Sequence, residues 1–574
     1  MARHSAAHYF LEGLCELGID YLFCNLGTDH VSLIEEMARW DRSNRRRPPA
    51  IICPHENVAV HMAGGYAMMT GRGQAVLVHV DAGTANAAMA MHNLCRGRVP
   101  VFLMAGRAPF TTRGELTGSR DTYVHFVQDP YDIGSIVRPY VKWEYCLPSG
   151  VVAKELLSRG YAMMQSEPAG PVFLTLPRET LAEEIEEEMV RSFPPSRYGP
   201  VQAGGADPAV AAEIAQQIMA AENPVAFAGY LGRKAEAVAA LEELAREAGI
   251  RVVSHAPITM NLPADSPCFA GFDPKPLLEV ADLGLLLDTD VPWVPSNMPE
   301  RPETRWIQVD VDAAKRDLPI WNFPADLRVQ GDCATVLRQV LEAVRARADA
   351  AFRARVAERI ASWEPARQAR ARRLAEAAAR PGEPDAIGTP FLMDVLNRQL
   401  AAEDIVLNEA IRNGGVVQDH VVRTKPGTYI GFAGGGLGFS GGMALGVKLA
   451  RPGNRVVQIV GDGIYHFSAP DSVYAVAQNY GLPIFTIILD NRGWSAVKEA
   501  TKRVYPKGVA VEQGKFFARL DDRGERRFEE VARAFGAHGE RVTEPDQVEG
   551  AIRRCLEAVE NGQAAVLTAR VTPL

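Results

Sequence analysis

The stretch from Val456 to Gly493 constrains the fold more than any other. Val456-Val457-Gln458-Ile459-Val460 is a short apolar run closed by Gly461-Asp462-Gly463, the pattern of a buried parallel strand ending in a tight turn. Ala469 to Tyr480 has helical character, Pro483 to Leu489 is a second apolar run, and Asn491 falls just beyond it. Asp462 and Asn491 therefore share one carboxyl edge of a parallel sheet, where open α/β sheets bind ligands. The acid, the amide oxygen and a backbone carbonyl of the Asn491-Arg492-Gly493 turn are the hard oxygen donors that suit Mg2+. Asp462, Asn491 and Gly493 are the candidate metal residues.

The same alternation runs through the rest of the chain. Strand patterns at Tyr21–Cys24, Ala50–Cys53, Ala75–Val80, Val101–Ala105 and Val172–Leu176 are separated by helical ones, and residues 1–185 read as a doubly wound α/β domain. A second α/β unit occupies 205–345, with strands at Val225–Ala228, Val252–Val253, Leu283–Leu287 and Trp306–Val311. A third fills 385–574. The acidic, then Pro- and Ser-rich stretch 183–206 reads as a solvated linker, and the Ala- and Arg-rich stretch 346–384 as a surface helix joining domains. The fold class is α/β: three doubly wound domains with mainly parallel sheets.

A chain of 574 residues exceeds one core, in keeping with three domains. With 47% apolar and 23% charged residues, disorder is not expected. The net charge of −8, without a long basic run, argues against nucleic acid as a partner. Eight cysteines without a C-x-x-C pair argue against a zinc module or a disulfide framework. The N-terminal pattern, broken by Glu12 and Glu16, is neither a signal peptide nor a membrane span. A cytoplasmic location and no membrane association are expected.

Gly461-Asp462-Gly463, followed after 27 residues by Asn491, resembles the diphosphate-binding signature of thiamine diphosphate (ThDP) enzymes, in particular the acetolactate synthase, pyruvate decarboxylase and benzoylformate decarboxylase superfamily. A second match lies far away. Pro54-His55-Glu56-Asn57 continues into Ala63-Gly64-Gly65-Tyr66-Ala67, similar to the superfamily's pyrimidine-domain motif. The resemblance covers nearly the whole chain in the order pyrimidine-binding, central and diphosphate-binding domain. It implies ThDP and Mg2+ as cofactors, and a homodimer or homotetramer whose site lies between subunits. There are two departures: Ile464 stands where a small or hydroxyl residue is usual, and Asp490 where a second Asn is common.

The resemblance also carries roles onto residues. Glu56, which by itself would simply complement a helix dipole, becomes the acid that hydrogen-bonds the aminopyrimidine and favours its imino tautomer. Leu437 becomes the apolar wedge beneath the cofactor, while Gly436, Gly461, Gly463, the backbone of Ile464, and Asn413 become its other contacts. His79 ends a strand in a stretch similar to that of benzoylformate decarboxylase, where acetolactate synthases usually have Gly-Pro-Gly, and is the candidate for proton transfer. His30 and Thr28 lie on the loop after the first strand; either His30 faces the same pocket or the loop merely caps the next helix through Thr28 or Asp29. Arg107, where acetolactate synthases usually have Gln, and Trp494 complete the candidate substrate contacts.

The implied chemistry is attack of the cofactor's C2 ylid on the carbonyl of a small molecule, cleavage of the neighbouring C–C bond to an enamine, then protonation or addition to an acceptor. A 2-oxo acid decarboxylase or a carboligase of acetolactate-synthase type fits this, as does a 2-hydroxyacyl-CoA lyase. FAD, common in acetolactate synthases, is not expected, because Leu285 to Val294 lacks their usual Arg-Phe-Asp-Asp-Arg-like run. Two readings from other classes stay open. Gly436-x-Gly438-x-x-Gly441 is a literal dinucleotide fingerprint, which would make the chain a NAD-linked oxidoreductase. Ile464 would also suit a non-catalytic paralogue.

Overall fold

The structure, a computed structural model, describes residues 2–520 and 524–572. Three six-stranded parallel sheets carry it. The first runs, in spatial order, Ala50–Ile52, Leu22–Cys24, Gln74–Val78, Val101–Arg107, Val172–Pro177, Glu144–Cys146. The last runs Tyr429–Ile430, Ile405–Glu409, Val456–Gly461, Phe485–Asp490, Ala565–Arg570, His538–Val542. Numbered along the chain, both sheets have the order 2-1-3-4-6-5, so the first and last domains share one topology without a visible sequence repeat. The middle sheet, from Phe269–Gly271 at one edge to Leu327–Gln330 at the other, has the order 3-2-1-4-5-6 of dinucleotide-binding folds.

Two connections differ from the sequence reading. Within the acidic stretch, Glu184–Glu186 is a strand that pairs antiparallel with Arg3–Ser5 and buries Ile185, so composition concealed one apolar anchor. The surface helix is two helices, Ala350–Ser362 and Glu364–Ala378, separated at Trp363 with a proline in the first turn of the second. The first buries Phe352 and Val356; the second buries nothing.

The first and last domains meet through two apolar helices, Glu56–Thr70 and Ser440–Ala450. Their small residues are there for proximity. A Cβ at Gly65 would overlap the Met443 carbonyl, one at Gly446 the Met62 carbonyl, and one at Gly442 would come within 2.8 Å of the Val58 carbonyl. Val58, Met62, Ala63, Met443, Ala444 and Val447 belong to one buried core spanning both domains. Among the described residues, no helix is long and apolar enough to cross a membrane.

Candidate active site

Four adjacent strand ends of the first sheet carry the candidate residues of that domain. Glu56 opens the helix after Ala50–Ile52, Thr28 to His30 follow Leu22–Cys24, His79 follows Gln74–Val78, and Arg107 ends Val101–Arg107. Glu56 is 8% exposed. Asn86 Nδ2 donates to its Oε2 at 3.1 Å, which leaves the other oxygen facing Gly83, where a Cβ would come within 3.2 Å. His55 Nδ1 accepts the Asn57 amide at 3.1 Å and lies 3.9 Å from Glu56 Oε2.

His79 is more tightly engaged than a lone histidine. Its Nδ1 pairs with Asp29 Oδ1, and its Nε2 lies 2.9 Å from Gln128 Oε1. The hydrogen bond it donates to Asp29 outweighs burial and raises the imidazole above its ordinary pKa. His30 differs: it is fully buried, burial lowers its pKa, and its Nδ1 accepts the Gly27 amide at 3.0 Å. It therefore supports the loop from behind, with its ring shielded from solvent. Thr28 is exposed, with its Oγ1 3.1 Å from His125 Nε2. His125 Nδ1 lies 3.2 Å from Asp121 Oδ1 and 3.4 Å from both the Arg178 guanidinium and the Asp121 amide, so either Thr28 or His125 can be the donor between them. Arg107 leans away from Glu56, across a strand, with Nη1 3.5 Å from Cys146 Sγ. There it lines a cavity of about 250 Å³ with Tyr131, Glu144 and Thr175.

The last domain repeats the arrangement at its own four adjacent strand ends. Asn413 follows Ile405–Glu409, Leu437 follows Tyr429–Ile430, Asp462 follows Val456–Gly461, and Asn491 follows Phe485–Asp490. Asp462 is 2% exposed. Burial, and then the Asp490 carboxylate, push it up to about 7 against the backbone N–H groups of Gly463 and Gly493. Asn491 Oδ1 is buried without a hydrogen-bond partner, and so is Asn413 Oδ1. A buried acid repelled by another acid, beside an unsatisfied amide oxygen, is the donor set of a hard cation. The residues present fit Mg2+.

The departures from the expected motif have local causes. The Ile464 side chain is 5% exposed and packs with Val460, Tyr465, Tyr474 and Ile488, so only its backbone remains for a ligand. Asp490 is held by Arg570 Nε at 3.1 Å on the neighbouring strand. Gly463 is a glycine because the Trp494 indole lies where its Cβ would be, which makes Trp494 a cover on the turn. Gly461 carries no such crowding.

The glycine-rich loop does not present a free anion site. Glu409 is fully buried and accepts the backbone amides of Gly438 at 2.6 Å, Phe439 at 3.2 Å and Ser440 at 2.9 Å, together with the Ser440 hydroxyl. A carboxylate already fills the place a dinucleotide pyrophosphate would take at that helix N-terminus, and the NAD-linked reading loses its motif. Gly436 is spoken for as well: its amide and carbonyl bind Asn93, and a Cβ would overlap Met89. Leu437, next to it, is half-buried.

Sequence reasoning read Asp29 only as a helix cap, gave Asn86 and Glu409 no role of their own, and missed Asn93, His125 and Gln128 altogether. Only Glu409 carried a signal, a lone acid ending an apolar strand.

Three family models match the chain: "Thiamine pyrophosphate enzyme, N-terminal TPP binding domain" over residues 4–135, its central domain over 211–340, and its C-terminal TPP binding domain over 413–569. Benzoylformate decarboxylase of Pseudomonas aeruginosa is 25% identical, over 97% of this chain and 96% of that protein. The acetolactate synthase large subunit of Haemophilus influenzae is 23% identical, over 96% and 92%. The solved structure of Rhodococcus jostii ThDP-dependent 4-hydroxybenzoylformate decarboxylase superposes with a TM-score of 0.79 at 19% identity, covering 100% of this chain and 99% of that one, a likeness of fold. With matching models for all three domains in order, and both cofactor-binding edges built, the chain belongs to the thiamine pyrophosphate enzyme family.

Proposed function

We propose that the protein is a ThDP- and Mg2+-dependent lyase that decarboxylates a 2-oxo acid. The observation that carries this reading is His79, held by Asp29 one strand end from Thr28 and close to Glu56. An acetolactate synthase ordinarily lacks a histidine there, and the benzoylformate decarboxylase relative supports the comparison.

Asp462, Asn491 Oδ1 and the Gly493 carbonyl would hold Mg2+, and the backbone of Gly461 to Ile464 together with Asn413 would hold the diphosphate. Leu437 would support the ring system and Glu56 would meet the aminopyrimidine. When bound, ThDP supplies an electron sink for the bond cleaved beside a carbonyl. The chain's own residues do the rest. Glu56, steadied by Asn86, exchanges a proton at its Oε1. Thr28, exposed at the neighbouring strand end, offers its hydroxyl to a substrate oxygen. His79 supplies a positive charge and a proton on the same edge.

The homodimer is supported by two sets of exposed apolar side chains on the segments bordering these edges: Phe110, Tyr123, Phe126 and Tyr131 in one domain, Val504, Tyr505, Val509 and Phe517 in the other. Among the described residues no hydrogen bond joins Glu56 to the 461–493 segment, as expected if each half is completed by a partner. FAD is not expected, on the sequence of Leu285 to Val294. At the topological switch point of the central sheet Arg98, from the first domain, binds Asp310 and Asp290 at 2.9 Å, and Lys315 and Arg233 add further pairs to Asp290 and Asp288. A cavity of about 760 Å³ lined by Arg98, Arg233, Lys234 and Asp332 opens beside this network. Eight free thiols suit a reducing cytoplasm.

The deciding experiment is turnover with ThDP and Mg2+ across aliphatic and aromatic 2-oxo acids, aldehyde ligations and 2-hydroxyacyl-CoAs. Release of CO2 from at least one 2-oxo acid is expected. Turnover confined to ligation or CoA cleavage would overturn the reading.

A further inference from the structure

Asp29 is 1% exposed and stands between two histidines. Its Oδ1 meets His79 Nδ1, while its Oδ2 lies 3.3 Å from His30 Nε2 and accepts the Val80 amide at 3.3 Å. Two glycines make room for this arrangement. A Cβ on Gly27 would overlap the His79 ring, and one on Gly106 would overlap the Asp29 carboxylate. The pairing also sits beside strained backbone: Val80, a β-branched residue, is held at φ +22°. Crowded glycines, a strained valine and a buried carboxylate would be a costly way to do nothing more than cap a helix.

The chemistry of each partner sets its protonation. His30 Nδ1 accepts the Gly27 amide, so in the neutral ring that burial favours, its N–H lies on Nε2, 3.3 Å from Asp29 Oδ2 but without a formed hydrogen bond to it, and the Val78 backbone also interacts with this ring. Asp29 is pushed up by burial, yet the hydrogen bond from His79 and the two imidazoles bring it below the ordinary carboxylate range. His79 then has an anion at Nδ1 and an amide oxygen, Gln128 Oε1, at Nε2. A ring with acceptors at both nitrogens carries two protons. The other groups around it leave this charge in place. Asp81 adds attraction, His125 is kept neutral by burial and Arg178, and Glu56 lies across Gly83.

We propose that Asp29 is a positioning residue that holds His79 as a doubly protonated imidazolium, and that Gln128 Oε1 stands where an oxygen of the substrate's carboxylate is received. The substrate part rests on the 2-oxo acid reading; the hold of Asp29 on His79 does not. His79 receives the anionic end of the substrate, and Asp29 keeps it charged and aimed at neutral pH.

The test begins with the wild-type protein. Nitrogen NMR of 15N-histidine-labelled protein, with His79 assigned by its loss in His79→Gln, should show both ring nitrogens protonated at neutral pH. A singly protonated His79 overturns the proposal. Asp29→Asn, which keeps the shape and removes the charge, should move the His79 titration to lower pH. In turnover it should lower kcat/KM for the 2-oxo acid by about 100-fold, shift the alkaline limb of the pH profile the same way, and leave ThDP affinity unchanged. Titration and profile that stay in place overturn it. Gln128→Ala should leave KM unchanged or lower, and a tenfold rise would show that Gln128 binds substrate itself. If Asp29→Asn does not fold, the wild-type spectrum still decides. If no 2-oxo acid turns over, the functional reading fails while the spectrum still judges Asp29.

Discussion

Asn93 and Gly436 bind each other twice across the junction between the first and last domains. The Gly436 amide donates to Asn93 Oδ1 at 3.0 Å, and Asn93 Nδ2 donates to the Gly436 carbonyl at 2.9 Å. The loop that carries Leu437 is thus fastened by a side chain from a helix 343 residues away in sequence. Asn93→Ala should leave both backbone groups of Gly436 unpaired and cost about 2 kcal/mol, with weaker ThDP binding because the wedge is freed. Urea denaturation and calorimetric titration with ThDP and Mg2+ measure the two effects; unchanged values in both would show the contact to be incidental.

His61 is the next link behind that contact. It is fully buried, its Nδ1 lies 3.0 Å from the Asn57 carbonyl and its Nε2 3.2 Å from Asn93 Nδ2. The neutral ring satisfies both neighbours: it donates to the carbonyl and accepts from the amide. Burial lowers its pKa to about 3, against 6.5 unfolded. The unfolded chain therefore binds the proton first. The stability from His61 is complete above pH 6.5 and is lost as pH falls from there towards 3, by about 1.4 kcal/mol per unit. Over that window the loss is about 5 kcal/mol. Denaturation curves from pH 8 to 4 should fall more steeply for the wild type than for His61→Gln, and parallel curves would refute this.

How much of this was legible beforehand follows from what each feature needs. The central strands were readable because each is a continuous apolar run with a turn after it, and Asp462, Asn491 and Glu56 because motif residues sit at fixed distances from those runs. The edge strands Glu144–Cys146, Phe269–Gly271, Tyr429–Ile430 and Leu327–Gln330 were not, being two to four residues long and without a period of their own. The partners of the site were hidden for another reason. Asn86 finds Glu56, Gln128 finds His79 and Asn93 finds Gly436 only through tertiary packing, and a single polar residue on a helix or loop carries no local sign of what it will meet. Arg107 shows the converse error. It ends the strand at the edge that holds the other candidates, but its side chain crosses to Cys146.

The helix crossing between the domains tolerates no side chain at Gly446. Its Cβ position coincides with the Met62 carbonyl, and 2.8 Å away lie the Met62 carbonyl carbon and the Tyr66 amide. Backbone atoms of a second helix cannot step aside as a side-chain tip can. Gly446→Val should therefore separate the two helices and cost more than about 3 kcal/mol, read as a lowered denaturation midpoint and the loss of ThDP binding. A variant with both intact would mean that the helices slide at little cost.

Glu409 and Ser440 end a polar chain that runs through the core of the last domain. Tyr474 donates to Thr486 at 3.0 Å, Thr486 to Gln458 at 2.9 Å, Gln458 to the Ser440 hydroxyl at 2.9 Å, and Ser440 to Glu409. Every donor points the same way, towards the carboxylate, and three backbone amides converge on it from the loop after Leu437. Burial still pushes the Glu409 carboxyl up to about 7. Glu409→Gln would turn an NH2 group towards donors that can only donate, leaving about two of them unpaired and costing about 3 kcal/mol. The loop would then hold Leu437 less firmly, and ThDP should bind about 10- to 100-fold more weakly. Because the carboxylate is the anchoring form, part of the wild-type affinity should fade as pH drops through about 7, and that part should vanish in Glu409→Gln. Calorimetric titration of both proteins at pH 6 and pH 8 separates this contribution from the one due to Asp462, which both proteins retain. Equal pH dependence in the two would mean that Glu409 does not anchor the loop through its charge.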